Sequence, residues 1–219
     1  MAAGSWAAAS TAARLNMSGF PLPTEDNWGA QVAEISPGDS VAVIGAGPVG
    51  MCAMQSARLF GAGKVIALDL SQKRLDYAMA QGLCDDVILC GEGSVEQQIR
   101  SLTQGRGADA VIECAGNADS FQTAWQIARP NAVVAIVAMY AQPQTLPLQR
   151  MYGKNLIFKT GGVDATQCSR LMRLIETGKL STGFLISHRA PLNDILEGYR
   201  VFEQKLDNCI KWVVTPYER

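Results

Sequence analysis

The chain of 219 residues contains a single histidine, His188, and none of its six cysteines falls in a Cys-x-x-Cys pair. A catalytic zinc site ordinarily takes three protein ligands from Cys, His or a carboxylate. His188 has no Cys or Glu beside it, so the sequence reads it as a structural residue. Cys52, Cys84, Cys90, Cys114, Cys168 and Cys209 are scattered through mostly apolar stretches. That distribution indicates free, buried thiols in a reducing cytoplasm rather than a disulfide framework. A surplus of one charge is also lacking. The net charge is −1 with no block of like charges, which points away from nucleic acid and from interaction tails. Long hydrophobic runs are missing too. Val41 to Ala57 is interrupted by glycines, Ala132 to Ala141 is short, and a bilayer-spanning helix needs about 20 apolar residues. No internal repeat is apparent.

Met1 to Asn16 is rich in Ala and Ser and carries one basic residue, Arg14. It has neither the basic start nor the continuous apolar region of a signal peptide. Residues 1–22 are therefore expected to form a disordered tail, with Met17 as an alternative initiator.

What is present is concentrated between Ser40 and Asp69. A buried strand through Val41, Val43 and Ile44 runs into Gly45-Ala46-Gly47-Pro48-Val49-Gly50, and an apolar helix follows. A second strand, Lys64 to Leu68, ends on Asp69, about 20 residues past the last glycine. Gly45 permits the tight turn, Gly47 lets the backbone approach a pyrophosphate, and Gly50 lets helix and strand pack closely. The helix N-terminus offers free N–H groups and partial positive charge to phosphates. A carboxylate at Asp69 accepts hydrogen bonds from the adenine-side ribose and repels a 2′-phosphate, so NAD is favoured over NADP. Lys73 and Arg74 argue the other way, but they read as a solvated helix face.

Downstream, strand and helix alternate. Ser71 is expected to cap a helix through Gln81, and Asp86 to Leu89 reads as a short strand. Ser94 opens a helix bearing Val95, Ile99 and Leu102, and Ala110 to Glu113 is the next strand. Phe121, Ala124, Trp125 and Ile127 mark a helix stopped by Pro130. Ala132 to Ala138 and Leu156 to Phe158 complete six strands. This pattern predicts an α/β fold: a doubly wound parallel Rossmann sheet, order 3-2-1-4-5-6, with helices on both faces. Ligands on such sheets bind at the carboxyl ends of the strands. The candidate site is therefore Gly45 to Gly50, Asp69, Cys114 to Gly116, Val137 to Met139 and Thr160 to Gly162. Cys114 reads as a small residue filling a strand end, and Glu113 as an orienting carboxylate rather than a general base.

Several stretches in order resemble the zinc-containing alcohol dehydrogenases of the medium-chain dehydrogenase/reductase family. They are ISPGDSVAVIGAGPVG, GAGKVIALDLSQKRLDYA, GADAVIECAG, VVAIVAMY and FLISHRAPLNDILEGYRVFEQKLDNCIKWVVTP. The resemblance covers roughly Gly29 to Pro216. It implies hydride transfer between a nicotinamide and an alcohol or carbonyl. It also implies that Pro48 and Val49 lie under the pyrophosphate and that Leu70 and Arg74 line the adenine end. Ala115 and Gly116 would border the ribose, and backbone groups of Val137 and Met139 would meet the nicotinamide amide. Thr145 to Leu148 would be an edge strand at which a homodimer forms.

The same resemblance implies a preceding catalytic domain with zinc ligands and a structural zinc lobe. Here the lead is PLPTEDNWGAQVAEI, without the usual Thr-Gly step. The expected organisation is a tail (1–22), an NAD-binding domain (23–163) and a C-terminal segment (164–219) left from the catalytic domain. Cofactor binding without zinc and with little independent turnover is the leading expectation. An oxidoreductase completed by another chain and a non-enzymatic dinucleotide-binding or redox-sensing protein stay open. In the C-terminal segment, Cys168 to Glu176 and Leu192 to Glu203 have helical spacing, and Cys209 to Thr215 reads as a strand. With its partners missing, that segment is expected to dock on the cofactor domain, pair with another subunit, or lack order.

Overall fold

The computed structural model describes residues 32–160, 168–204 and 206–216. The expectations for the tail, for most of the lead and for Gly161 and Gly162 lie outside these residues.

Six strands form one parallel sheet: β1 (Ser40–Ile44), β2 (Lys64–Asp69), β3 (Asp86–Leu89), β4 (Ala108–Glu113), β5 (Ala128–Ile136) and β6 (Ile157–Thr160). Their spatial order, β3-β2-β1-β4-β5-β6, is the expected one. The crossovers carry α1 (Pro48–Leu59), α2 (Gln72–Ala80), α3 (Val95–Leu102) and α4 (Ala118–Ile127). Because successive strand residues point to opposite faces, each apolar strand feeds two cores. Val41, Val43, Val65 and Ala67 pack with Met51, Met54 and Leu75 of α1 and α2. Ala42, Ile44, Ile66 and Leu68 pack with Ile99, Phe121 and Ile127 of α3 and α4. Helices cover both faces, so residues at the strand ends are left to form a site.

The C-terminal segment docks on this body. It contains α5 (Cys168–Glu176), β7 (His188–Pro191), α6 (Ile195–Glu203) and β8 (Trp212–Thr215), and β7 and β8 pair in parallel. Leu171, Leu180, Leu185 and Ile210 are buried in the α1–α2 core. Burial of each such side chain is worth about 1.5–3 kcal/mol. The Tyr77 hydroxyl donates to the Phe184 carbonyl at 2.6 Å, a further tie between the two parts. Of the three fates expected for the segment, docking is the one observed.

Several local expectations are corrected. Ser71 takes the N-cap position of α2, but its side chain makes no capping bond; its amide instead donates to Asp69 Oδ1 at 2.8 Å. α4 ends at Ile127, ahead of Pro130, and β5 starts at Ala128 rather than Ala132. An ion pair between Arg129 and Asp109, 2.6 Å, draws Arg129 to the foot of β4. The β4–β5 register shifts there, between the Ala108–Ala128 and Ala110–Val133 pairs, which accommodates Pro130. Thr145 to Leu148 is not a strand, and Leu148 opens a 3₁₀ turn that runs to Arg150. Pro143 and Pro147 flank and enter this stretch, and proline has no N–H to donate to a ladder. The last helix is also shorter than expected, because Leu192–Asp194 is a 3₁₀ turn ahead of α6.

Candidate functional site

The carboxyl ends of β1, β2 and β4 open into a cleft of about 690 Å³. Its floor and walls include Gly45, Gly47, Asp69, Arg74 and Ala115, with Asn208 brought in from the C-terminal segment. β1 leaves the sheet at Gly45, which has φ +100°, a conformation that side chains disfavour. A Cβ on Gly50 would lie 1.6 Å from the Gly45 carbonyl oxygen. No side chain fits there, so the loop and the first turn of α1 stay in direct backbone contact. α1 starts at Gly47 and Pro48 with no side-chain cap and no acidic residue in its first turn. Its first amides lack intrahelical acceptors, and its positive dipole end lies at the cleft.

Asp69 closes the opposite side of the loop. Its Oδ2 accepts the Ala46 amide at 2.7 Å, and its Oδ1 accepts the Ser71 amide at 2.8 Å. One carboxylate thereby fixes the glycine loop to the end of β2. Arg74 in α2 places Nη1 3.9 Å from where a Gly47 Cβ would stand. Among the described residues it has no ion pair. A free guanidinium beside an uncapped helix start makes an anion-accepting corner.

At the end of β4, the fully buried Glu113 turns its carboxylate into the following turn. Its Oε1 accepts the amides of Ala115 at 2.8 Å and Gly116 at 2.9 Å, and its Oε2 accepts the Tyr140 hydroxyl. Burial, followed by the nearby Glu113 and Cys52, pushes the Cys114 thiol well above its usual range. Cys90 is raised by burial and then by Asp69. Both therefore remain protonated near neutrality, which suits filler thiols rather than nucleophiles.

Among the sequence candidates, Gly45, Gly47, Asp69, Leu70, Arg74 and Ala115 line the cleft together. Pro48 and Val49 form the first turn of α1, and Gly50 is buried behind the loop. Gly116, Val137 and Met139 lie outside the lining. They are adjacent to one another, since a Cβ on Gly116 would meet the Met139 carbonyl oxygen at 2.7 Å. The Met139 side chain is exposed. Cys90, Asn117, Ser120, Thr123 and Asn208 line the cleft but were not singled out from sequence. Asn117 and Ser120 form a reciprocal capping box at the start of α4, a spacing that is readable in the chain. Asn208 arrives from a distant turn and has no local signal.

His188 does not line the cleft. It stacks on Trp212 with ring centroids 5.2 Å apart, and its Nδ1 lies 2.9 Å from Ser187 Oγ. Among the described residues, no three His, Cys, Asp or Glu side chains gather as a metal site. Zinc therefore does not fit the described residues, and no chemical step is assigned through it. No helix among them is long and apolar enough to cross a membrane.

With this geometry in place, residues 48–177 match the family described as zinc-binding dehydrogenase. This chain belongs to that family. An alcohol dehydrogenase of Cupriavidus necator is 33% identical over 195 residues, covering 86% of this chain and 52% of the relative. The NADP-dependent isopropanol dehydrogenase of Thermoanaerobacter brockii is 34% identical, covering 85% of this chain and 54% of the relative. Among solved structures, the alcohol dehydrogenase of Thermus sp. ATN1 superposes with a TM-score of 0.80 at 29% identity. That match covers 94% of this chain and 56% of the other. The chain thus spans about half the length of these family members.

Proposed function

We propose that this chain binds a nicotinamide dinucleotide across the carboxyl ends of its sheet, as the cofactor-holding part of an alcohol dehydrogenase. The adenine-side ribose would lie against Asp69 and Leu70, bordered by Ala115 and Gly116. The diphosphate would rest on Gly45, Gly47, Pro48, Val49 and Gly50 with Arg74 beside it, and the nicotinamide amide would meet the backbone at Val137 and Met139. One observation carries this reading: the Asp69 carboxylate meets the glycine loop 2.7 Å from the Ala46 amide, at an uncapped helix start.

NAD is the preferred form. A 2′-phosphate on the ribose would approach a carboxylate held in place by two amides. The Thermoanaerobacter brockii relative is named for NADP, so this preference is a property to be measured on this chain. A bound nicotinamide supplies or accepts the hydride. The cleft residues would hold, orient and desolvate the dinucleotide, and the chain alone is expected to turn over little or no alcohol. Titration with NADH and NADPH, followed by nicotinamide fluorescence and paired with an alcohol and aldehyde panel, tests this. Binding of NADH in preference to NADPH supports the reading, whereas absence of dinucleotide binding defeats it.

A second reading, completion of an active oxidoreductase by another polypeptide, is favoured by one observation. Leu196, Tyr199 and Phe202 stand exposed at helical spacing along α6, and Leu192 in the turn ahead of it, with Leu196 at 79% and Tyr199 at 66% exposure. Exposure of Leu146, Leu148 and Ile157 supports self-association through the β6 edge of the sheet as part of this reading.

A further inference from the structure

Glu113 receives five hydrogen bonds at the end of β4. Its carboxylate takes the amides of Ala115 and Gly116 and the hydroxyl of Tyr140, as described above. Its carbonyl takes the amides of Val137 at 2.9 Å and Ala138 at 3.1 Å. Two strand-end loops are therefore tied to one residue: the turn after β4 and the segment after β5. The ties differ in kind. The Ala115–Gly116 turn depends on the carboxylate directly, whereas the far end of the β5 segment reaches it, among the described residues, through the Tyr140 hydroxyl.

The surroundings of Tyr140 show that this is a built contact. Its ring meets Phe121 edge-on with centroids 6.0 Å apart, and Phe121 in turn packs on Phe158 at 6.1 Å. Burial, then the hydrogen bond and charge of Glu113, push the phenol well above its usual range, so it remains a donor throughout the neutral region. Gly116 supplies a third point of closure, because any side chain there would collide with the Met139 carbonyl. The backbone from Val137 to Tyr140 is thus pinned at both ends and pressed against the β4 turn.

We propose that Tyr140 is a positioning residue. Its hydroxyl, acting through Glu113, holds the Val137–Met139 backbone in the register that receives the nicotinamide end of the dinucleotide. The adenine-side turn keeps its own bonds to Glu113 and does not depend on Tyr140. This inference rests on the dinucleotide reading above and adds a division of labour within it. One buried carboxylate sets both halves of the site, and one phenol ties the nicotinamide half to it.

Tyr140→Phe removes only the hydroxyl and leaves the ring packed on Phe121. The affinities of the unmodified chain and of this variant for NADH and for ADP are compared by calorimetry, with circular dichroism as a fold check. NADH affinity is expected to fall about tenfold, the scale of one hydrogen bond to a charged group, while ADP affinity stays within about twofold. Equal losses for NADH and ADP in Tyr140→Phe would show a merely structural role and overturn the proposal, as would unchanged NADH affinity. If the unmodified chain bound neither probe, the dinucleotide reading itself would fall. Binding of both by the unmodified chain, with no selective loss in Tyr140→Phe, would remove the positioning role alone.

Discussion

The carboxylate of Asp69 accepts a hydrogen bond from the backbone amide of Ala46 at 2.7 Å, across the gap between β2 and the glycine loop. The residue that is proposed to choose the cofactor thus also braces the loop that is proposed to hold it. Its second oxygen is occupied by the Ser71 amide, so the carboxylate is aimed rather than free to swing.

Asp69→Asn separates charge from bracing, because the amide oxygen still accepts from a loop amide. The expected result is a drop in discrimination between NADH and NADPH by about tenfold, with the fold intact. Dissociation constants for both dinucleotides check this. An unchanged ratio would remove the selective role given to Asp69.

Gly50→Ala places a Cβ 1.6 Å from the Gly45 carbonyl oxygen, a backbone atom that cannot rotate away. Stability should fall by at least about 2 kcal/mol, with loss of dinucleotide binding. Gly153→Ala is the control, since a Cβ there meets nothing within 4 Å and the backbone is not left-handed. Denaturant melts of the two variants should diverge sharply, and similar midpoints would contradict the packing argument.

The parts of the fold that were legible are those in which local chemistry and tertiary packing agree. The apolar β1 and the glycine turn behind it are one such case, since both follow from a parallel strand buried on two faces. The start of β5 was misread because Arg129-Pro130-Asn131 looks like a break. A salt bridge to Asp109 and a register shift keep Ala128 in the sheet, and neither is a local property. Ser71 looks like a cap by composition, yet Asp69 claims its amide. In the site, Glu113 was readable as an orienting carboxylate, but its partner Tyr140 lies on another strand end. Asn208 reaches the cleft through docking of the C-terminal segment, which no motif announces.

At the other end of the sheet, Asp109 supplies a pH test. Burial alone would raise its pKa, but the Ser40 hydroxyl and amide and the Arg129 guanidinium outweigh this and hold it below 3.8. A depressed carboxyl pKa contributes stability that is present above the unfolded value and is lost as pH falls through the folded value. Asp109→Asn should therefore cost about 2 kcal/mol near pH 7. That difference should shrink as pH falls through and below 3.8. Unfolding midpoints across this range decide it, and a penalty independent of pH would contradict the assignment.

One edge of the sheet is β6, and Leu148 is exposed in the segment that leads to it. Unpaired strand edges flanked by exposed apolar residues favour association with a second copy. Light scattering is expected to find a dimer that Leu148→Lys converts to monomer. A monomeric parent chain would dismiss this interface.

The most direct measurement of the central claim is a calorimetric titration of the purified chain with NADH, repeated in the presence of excess ADP. Saturable binding that ADP competes away, and that Asp69→Asn shifts toward NADPH, is the result this account predicts. No heat of binding from a folded chain with its glycine loop intact would contradict it.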